Sequence, residues 1–373
     1  MVQALIDEYR LVYETGLGSA GHGGGRRPRC LAFDGRSHQV IGLDIGTTHI
    51  HVVLANLDGE TLSERRIPSH YDSGFENIMN TCCDEVEALI AQSPNGIEPI
   101  LGVGMAVAGL INRRTQMVEV APKFGWKDVD PVAVLSKRID LPIIADYVVR
   151  VMTLGEKWYG RGAEFDDFIC VSLSHGIGAG MVIDGNIFYG AKGMCGELGH
   201  IVVDRDSKVL CKCGNRGCLS ALASGYGIAM SAQRAIENGE QSKLISRYCE
   251  GDFPVVSAEI VAIAAKQGDP LAERIFREAA EYIGVGLVNL LHLFNPQAIF
   301  LGGGLVQAGD LLLDTVRETI GRKGIDRLVQ DVEILPVTHG MRTTTMGAIA
   351  LILREVLKMN ILPEQSREHA ELL

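Results

Sequence analysis

Gly196-Glu197-Leu198-Gly199-His200 is followed, ten residues on, by Cys211-Lys212-Cys213-Gly214-Asn215-Arg216-Gly217-Cys218. One imidazole and three thiols fall within nineteen residues, spaced His-x10-Cys-x-Cys-x4-Cys. That is a complete donor set for a tetrahedral structural Zn²⁺, with His200, Cys211, Cys213 and Cys218 as ligands. Gly214 and Gly217 sit between the last two cysteines, where a tight knuckle needs positive φ. Cysteine is also a common small buried residue, and the chain has nine. Three within eight residues, separated by two glycines, favour the metal. Glu197 lies three residues before the His, so the sequence predicts a carboxylate beside the knuckle.

Outward from this stretch, 373 residues suffice for two domains with sizeable cores. No apolar run reaches the length of a membrane-spanning helix, and the first residues lack the basic and apolar regions of a signal peptide. An odd cysteine count with a cluster predicts a reducing, cytoplasmic setting. The net charge of −11 argues against a general electrostatic grip on nucleic acid, although a local basic element remains open.

Two segments share one design. Val40–Leu43 reads as a strand, Asp44-Ile45-Gly46-Thr47-Thr48 as a turn, 49–54 as a second strand and Leu57-Asp58-Gly59-Glu60 as a hairpin. Residues 168–186 repeat this around Ser174-His175-Gly176-Ile177-Gly178-Ala179-Gly180. The echo predicts two related lobes, each offering a glycine turn to a phosphate. A strand over 297–301 runs into Gly302-Gly303-Gly304, another place for close backbone approach. The pattern predicts helices over 3–15, 74–92, 131–138, 258–267, 271–294 and 344–357, and strands over 100–112, 141–146 and 332–337. Asp146, at a strand end before a helix, reads as either a simple N-cap or a functional acid. Gly21 to Arg29 reads as either a solvated linker or a basic wing that touches phosphates.

In this order, the Asp-Ile-Gly-Thr-Thr turn, the second glycine turn, Glu-Leu-Gly-His, the cysteine knuckle and Phe294-Asn295-Pro296…Gly302-Gly303-Gly304 resemble the ROK family (repressors, open reading frames and kinases) over about 38–355. The resemblance implies an α/β, two-lobed, actin-like sugar-kinase ATPase fold with ribonuclease-H-like lobes and a zinc knuckle. It implies a winged-helix remnant and linker at 1–38, an N-terminal lobe at 39–146 joined by the helix 344–357, and a C-terminal lobe at 147–343. It also implies Asp146 as general base, and Gly109, Asp146, Glu197 and His200 as sugar-binding residues. Asp44, Gly46, Thr47, Thr48, Gly176, Gly178, Gly303 and Gly304 correspond to the nucleotide-binding set, with ATP and Mg²⁺ as cofactors only if kinase activity is retained. Family members commonly form homodimers or tetramers.

Departures from the kinase pattern point to the regulator branch. Thr47 and His49 stand where kinases have Gly and Lys, Ala145 where they have Asn, His175 where they have Thr, and Ser220 where they have a sugar-binding Glu. Two absent sugar contacts, at roughly 1–3 kcal/mol per unmade buried hydrogen bond, should weaken or change sugar preference. Gly24-Gly25-Arg26-Arg27-Pro28 before the first strand resembles the end of a regulator's winged helix-turn-helix. Its recognition helix would lie upstream of Met1, so DNA is a partner only if such a segment precedes this chain. The leading expectation is a sugar-responsive transcriptional regulator that binds a sugar or sugar phosphate. The second is an ATP-dependent sugar kinase of glucokinase or N-acetylhexosamine kinase type. The third is a vestigial sensor holding zinc only.

Overall fold

The computed structural model describes residues 2–7, 10–18, 27–93, 99–242, 245–246 and 256–361. The segment at 21–26 and the tail beyond residue 363 lie outside them. The chain divides into two compact units, Met1–Gly155 with Thr344–Leu373, and Glu156–Thr343.

The first unit begins with a helix, Val2–Asp7, and then a hairpin of β1 (Val12–Leu17) antiparallel to β2 (Arg29–Phe33). The single helix expected over 3–15 is thus corrected: it ends at Asp7, and residues 12–15 are extended. Val12 and Tyr13 favour strand geometry, and 29–33 supply the ladder partners that local helical spacing cannot reveal. Asp34 N–H donates to Leu11 O and Gly18 N–H to Pro28 O, each at 2.8 Å, closing both ends of the hairpin.

Next come β3 (Gln39–Ile45), β4 (His49–Asn56), β5 (Thr61–Pro68) and β6 (Ile100–Val107). A small three-stranded sheet, unexpected from the sequence, follows as β7 (Leu110–Ile111), β8 (Val118–Ala121) and β9 (Trp126–Val129). Strand β10 (Ile143–Tyr147) returns to the main sheet, whose order is β10-β6-β3-β4-β5. Ile41, Leu43 and Val52 of this sheet are buried with Ile78, Met79, Cys82 and Val86 of the helix Phe75–Gln92. The closing helix Thr343–Ile361 packs on the same sheet. A Cβ at Gly42 would lie 2.6 Å from Thr345 O, and one at Gly104 would overlap Ala348 O. These strand glycines let the helix backbone approach closely.

The second unit repeats the topology. Strands β11 (Phe168–Leu173), β12 (Ile177–Ile183), β13 (Asn186–Phe188), β14 (Ala298–Gly302) and β15 (Glu333–Pro336) form a sheet of order β13-β12-β11-β14-β15. In both units three antiparallel strands are followed by a strand parallel to the first, and a fifth parallel to the fourth. The helix Pro270–Phe294 covers this sheet, starting at an Asp269 carboxylate that accepts from Ala272 N–H and ending at left-handed Asn295. Asp-Pro before an apolar-periodic run, and Asn-Pro after it, are the local reasons for its limits. Among the described residues no helix is long and apolar enough to cross a membrane.

Candidate functional site

In the second unit, Gly196 adopts φ 96° and its carbonyl accepts from Ala179 N–H at 2.8 Å. A Cβ at Gly196 would overlap Ala179 O, so only glycine lets the segment lie against β12. Leu198–His200 then forms one 3₁₀ turn. That turn places Glu197 and His200 together, His200 Nε2 3.8 Å from Glu197 Oε2, with both side chains more than a third exposed.

The other ring nitrogen faces the cysteines. His200 Nδ1 lies 3.6 Å from Cys211 Sγ, and Cys213 Sγ lies 3.7 Å from Cys218 Sγ. One donor atom from each of the four residues lies within 4.8 Å of all the others. Zinc bonds of about 2.3 Å to sulfur and about 2.0–2.1 Å to nitrogen give tetrahedral edges of roughly 3.8 Å for S···S and roughly 3.5 Å for S···N. The observed edges match, and they are far too long for a disulfide. The Asn215 backbone N–H pulls the Cys213 thiol down to about 7, whereas burial pushes Cys218 up to about 12. An ion would therefore displace a proton from Cys218. Cys211 and Cys218 are buried and Cys213 exposed, as in a knuckle with one open side.

Ser220 is structural here. Its hydroxyl accepts from Ile177 N–H at 3.1 Å, joining the helix Leu219–Ala223 to the start of β12. Gly176 lies in the turn before β12 and Gly178 within it. The register Ser172↔Gly302 and Leu173↔Ile177 brings that turn and Gly303-Gly304 to one end of the sheet. Gly303, at φ 93°, packs on Leu173 O, while Gly304 faces open space. His175 packs on the Tyr226 ring at 5.7 Å, and Lys212 Nζ lies 4.9 Å over the same ring, linking turn and knuckle.

The first unit gathers the remaining candidates. Asp44↔Ala106 and Asp146↔Ala106 are paired positions in adjacent parallel ladders. The two acids therefore occupy one row and one face of the sheet, about 10 Å apart at two strand spacings. Both are buried. Asp44 Oδ2 is 3.3 Å from His49 Nε2, and His49 Nδ1 is 3.0 Å from Thr48 Oγ1. Asp44 Oδ1 is buried with no hydrogen-bond partner among the described residues. Gly46 N–H donates to His49 O at 2.9 Å, closing the turn that carries Thr47 and Thr48. Gly109 follows β6, packed so closely on Ala121 that a Cβ would sit 2.7 Å away.

Asp146 is not a helix N-cap, since it lies inside β10. Its Oδ1 accepts from Tyr147 N–H at 2.7 Å, Arg150 Nε at 2.9 Å and Arg150 Nη2 at 2.6 Å. Arg150 is 1% exposed and ranks among the largest fully buried side chains. Sequence reading missed Arg150. The acid–base spacing of four at the start of the helix Val148–Tyr159 was the available signal.

Two units with the same sheet topology and glycine turns, one of them bearing a Cys₃His cluster, define a protein of the sugar-kinase-like α/β class. The chain belongs to the ROK family, whose model matches residues 40–355. It is 30% identical over 359 residues to the xylose repressor of Caldicellulosiruptor bescii, spanning 95% of this chain and 88% of the repressor. It is also 30% identical over 307 residues to the glucokinase of Halalkalibacterium halodurans, spanning 82% and 92%. Among solved structures, it is similar to a ROK-family transcriptional regulator homologous to the E. coli MLC protein (TM-score 0.79, 27% identity, 96% and 90% covered). A ROK glucokinase from Streptomyces griseus in complex with glucose and AMPPNP aligns with TM-score 0.73 at 30% identity, covering 85% and 99%.

Proposed function

We propose that the protein is a sugar-responsive transcriptional regulator, with Glu197, His200, Gly109 and Asp146 engaging the sugar. The observation that carries this reading is how far the repressor match extends. It leaves fewer residues outside than precede residue 40, so it reaches into the N-terminal segment that the family model omits. The glucokinase matches span about the length of the family region alone. In this reading the β1–β2 hairpin is the wing of a DNA-contacting element, and a sugar of the xylose or glucose class shifts the balance between two arrangements of the protein.

His200, Cys211, Cys213 and Cys218 would hold Zn²⁺, which supplies rigidity rather than bond-making chemistry. With Nδ1 on the metal, His200 is left with Nε2–H as its donor toward a ligand oxygen, while Glu197 accepts from sugar hydroxyls. Asp146 Oδ2, free of the three donors on Oδ1, accepts another. For ATP·Mg²⁺ the residues fit less well. The orphaned Asp44 Oδ1 suits a hydrated cation, but His49 holds the other oxygen and Arg150 holds Asp146 Oδ1.

The test is thermal stabilisation by D-xylose, D-glucose and N-acetylated hexosamines, run beside a coupled ATP-consumption assay on wild type and Asp146→Asn. Stabilisation without turnover is expected, because a ligand of the native state raises stability by mass action. Asp146-dependent turnover would favour the kinase reading. That second reading has one specific support, the survival of the Asp44–Asp146 row on one sheet face.

A further inference from the structure

The turn between β7 and β8 holds Gln116 at φ 59°, in the left-handed region where glycine or asparagine costs less. Another residue closes that turn. Asn112 Oδ1 accepts from Arg114 N–H at 3.1 Å and Thr115 N–H at 3.3 Å, and the Asn112 carbonyl accepts from Gln116 N–H at 2.8 Å. The Gln116 side chain instead reaches out of the turn. Its Oε1 accepts from Ala145 N–H at 2.8 Å, twenty-nine residues along the chain, while its Nε2 donates to Arg113 O at 2.9 Å. Strand β10 lies at the edge of its sheet, so its outward amides have no neighbouring strand there. Ala145 is buried and immediately precedes Asp146. A carboxamide engaged at both ends thus joins the turn to the backbone beside the acid. The same hairpin begins at Leu110, next to Gly109. Backbone strain retained for a side chain that serves another element points to a functional demand on that element.

We infer that Gln116 is a positioning residue of the sugar site. Through the Ala145 amide it fixes the end of β10, and with it the Asp146 carboxylate, against the hairpin that follows Gly109. It acts through these two groups rather than on the sugar. The inference rests on the reading that a sugar engages Asp146 and Gly109.

The experiment compares wild type with Gln116→Met, Gln116→Gly and Gln116→Glu. It follows sugar-free stability, the D-xylose or D-glucose concentration that half-saturates thermal stabilisation, and hydrogen exchange at the Ala145 amide. Methionine keeps the length and loses both side-chain bonds. Glycine also loses them but relieves the left-handed backbone, so the inference stays testable should Gln116→Met fold poorly. Glutamate keeps an acceptor for Ala145 N–H. Gln116→Met and Gln116→Gly raise the half-saturating sugar concentration by about tenfold, the scale of one unmade hydrogen bond at a buried amide. Both also speed exchange at Ala145. Gln116→Glu stays within about threefold of wild type and keeps Ala145 protected. A role confined to stability would lower the melting temperature of the variants and leave the half-saturating concentration where it was; that result overturns the inference. So does Gln116→Glu behaving like Gln116→Met, or Ala145 exchange that is the same in all four proteins. If wild type is stabilised by no sugar, the functional reading itself falls, and this inference with it, whatever Ala145 exchange shows.

Discussion

Breaking the Asp146–Arg150 pair tests the structure at its most consequential point. Two charge-assisted hydrogen bonds run from one buried guanidinium to one buried oxygen. Bonds to charged groups contribute about 1.5–3 kcal/mol each, and losing one member of a buried pair costs about 3–5 kcal/mol. Arg150→Met should therefore destabilise the first unit by about 3–5 kcal/mol. Asp146→Asn should cost less, since the amide oxygen still accepts from Tyr147 N–H. In the double variant neither charge is left stranded, so the coupling energy should be about 2–3 kcal/mol. A chain of two units need not unfold in one step, so a local readout is preferable. The Tyr147 amide donates to Asp146 Oδ1 at 2.7 Å, and its hydrogen-exchange protection should fall in Arg150→Met and partly return in the double variant. A coupling below about 0.5 kcal/mol, with Tyr147 protection unchanged, would mean that the pair behaves like an exposed ion pair, and the reasoning would fail.

If the Cys₃His cluster holds Zn²⁺ as proposed, a chelator, or Cys218→Ser, should loosen the knuckle and weaken sugar-dependent stabilisation, because Cys218 is buried at its base; metal analysis with thermal shift checks both. Full sugar binding by metal-free protein would contradict the clamp on His200. His51 is buried on β4, and burial holds its pKa below the ordinary 6.5, although Glu64 at 3.1 Å and Asp44 pull the other way. A histidine depressed in the folded state contributes stability above pH 6.5 that is lost as pH falls toward the folded value. His51→Gln should show a smaller loss of stability than wild type as pH falls below about 6.5, in parallel denaturation curves. Gly104→Ala should cost at least about 1–3 kcal/mol, since the new methyl overlaps Ala348 O, and the shift should appear in the unit that carries the closing helix.

Much of the fold was legible because it is written in local signals. Asp269-Pro270 and Asn295-Pro296 bracket the longest helix, and the two strand–glycine turn–strand segments announce the repeated topology. The hairpin β1–β2 was misread because its ladder is non-local: Val12 finds Phe33 twenty-one residues away, and helical spacing of Leu5, Ile6 and Tyr9 carried across the break. The β7–β9 sheet has strands of two to four residues, too short for alternation to register. At the site, the clustering of His200, Cys211, Cys213 and Cys218 was readable from spacing because the segment is a local object. Asp146 was readable as an acid at a strand end, but its state was not. That state depends on a side chain one helical turn further on, and on the depth at which both are buried.

His49 and Arg150 belong to one physical argument. The sheet register sets Asp44 and Asp146 in a single row. A kinase needs these acids available, one toward a metal ion and the other toward a hydroxyl proton. Here each has an internal partner, His49 Nε2 on Asp44 and the Arg150 fork on Asp146. Neither partner removes an acid, so the row keeps its acceptors. Each partner holds one oxygen of its acid, His49 on Asp44 Oδ2 and the Arg150 fork on Asp146 Oδ1, and leaves the other oxygen outside the contact without altering the fold. The imidazole at 3.3 Å is the weaker cover, because its second nitrogen is engaged by Thr48 and the ring is less buried than Arg150. His49→Gln should therefore cost less stability than Arg150→Met in parallel denaturation curves. Equal losses from the two single variants would mean that depth of burial does not set the strength of these contacts, and the argument would fail.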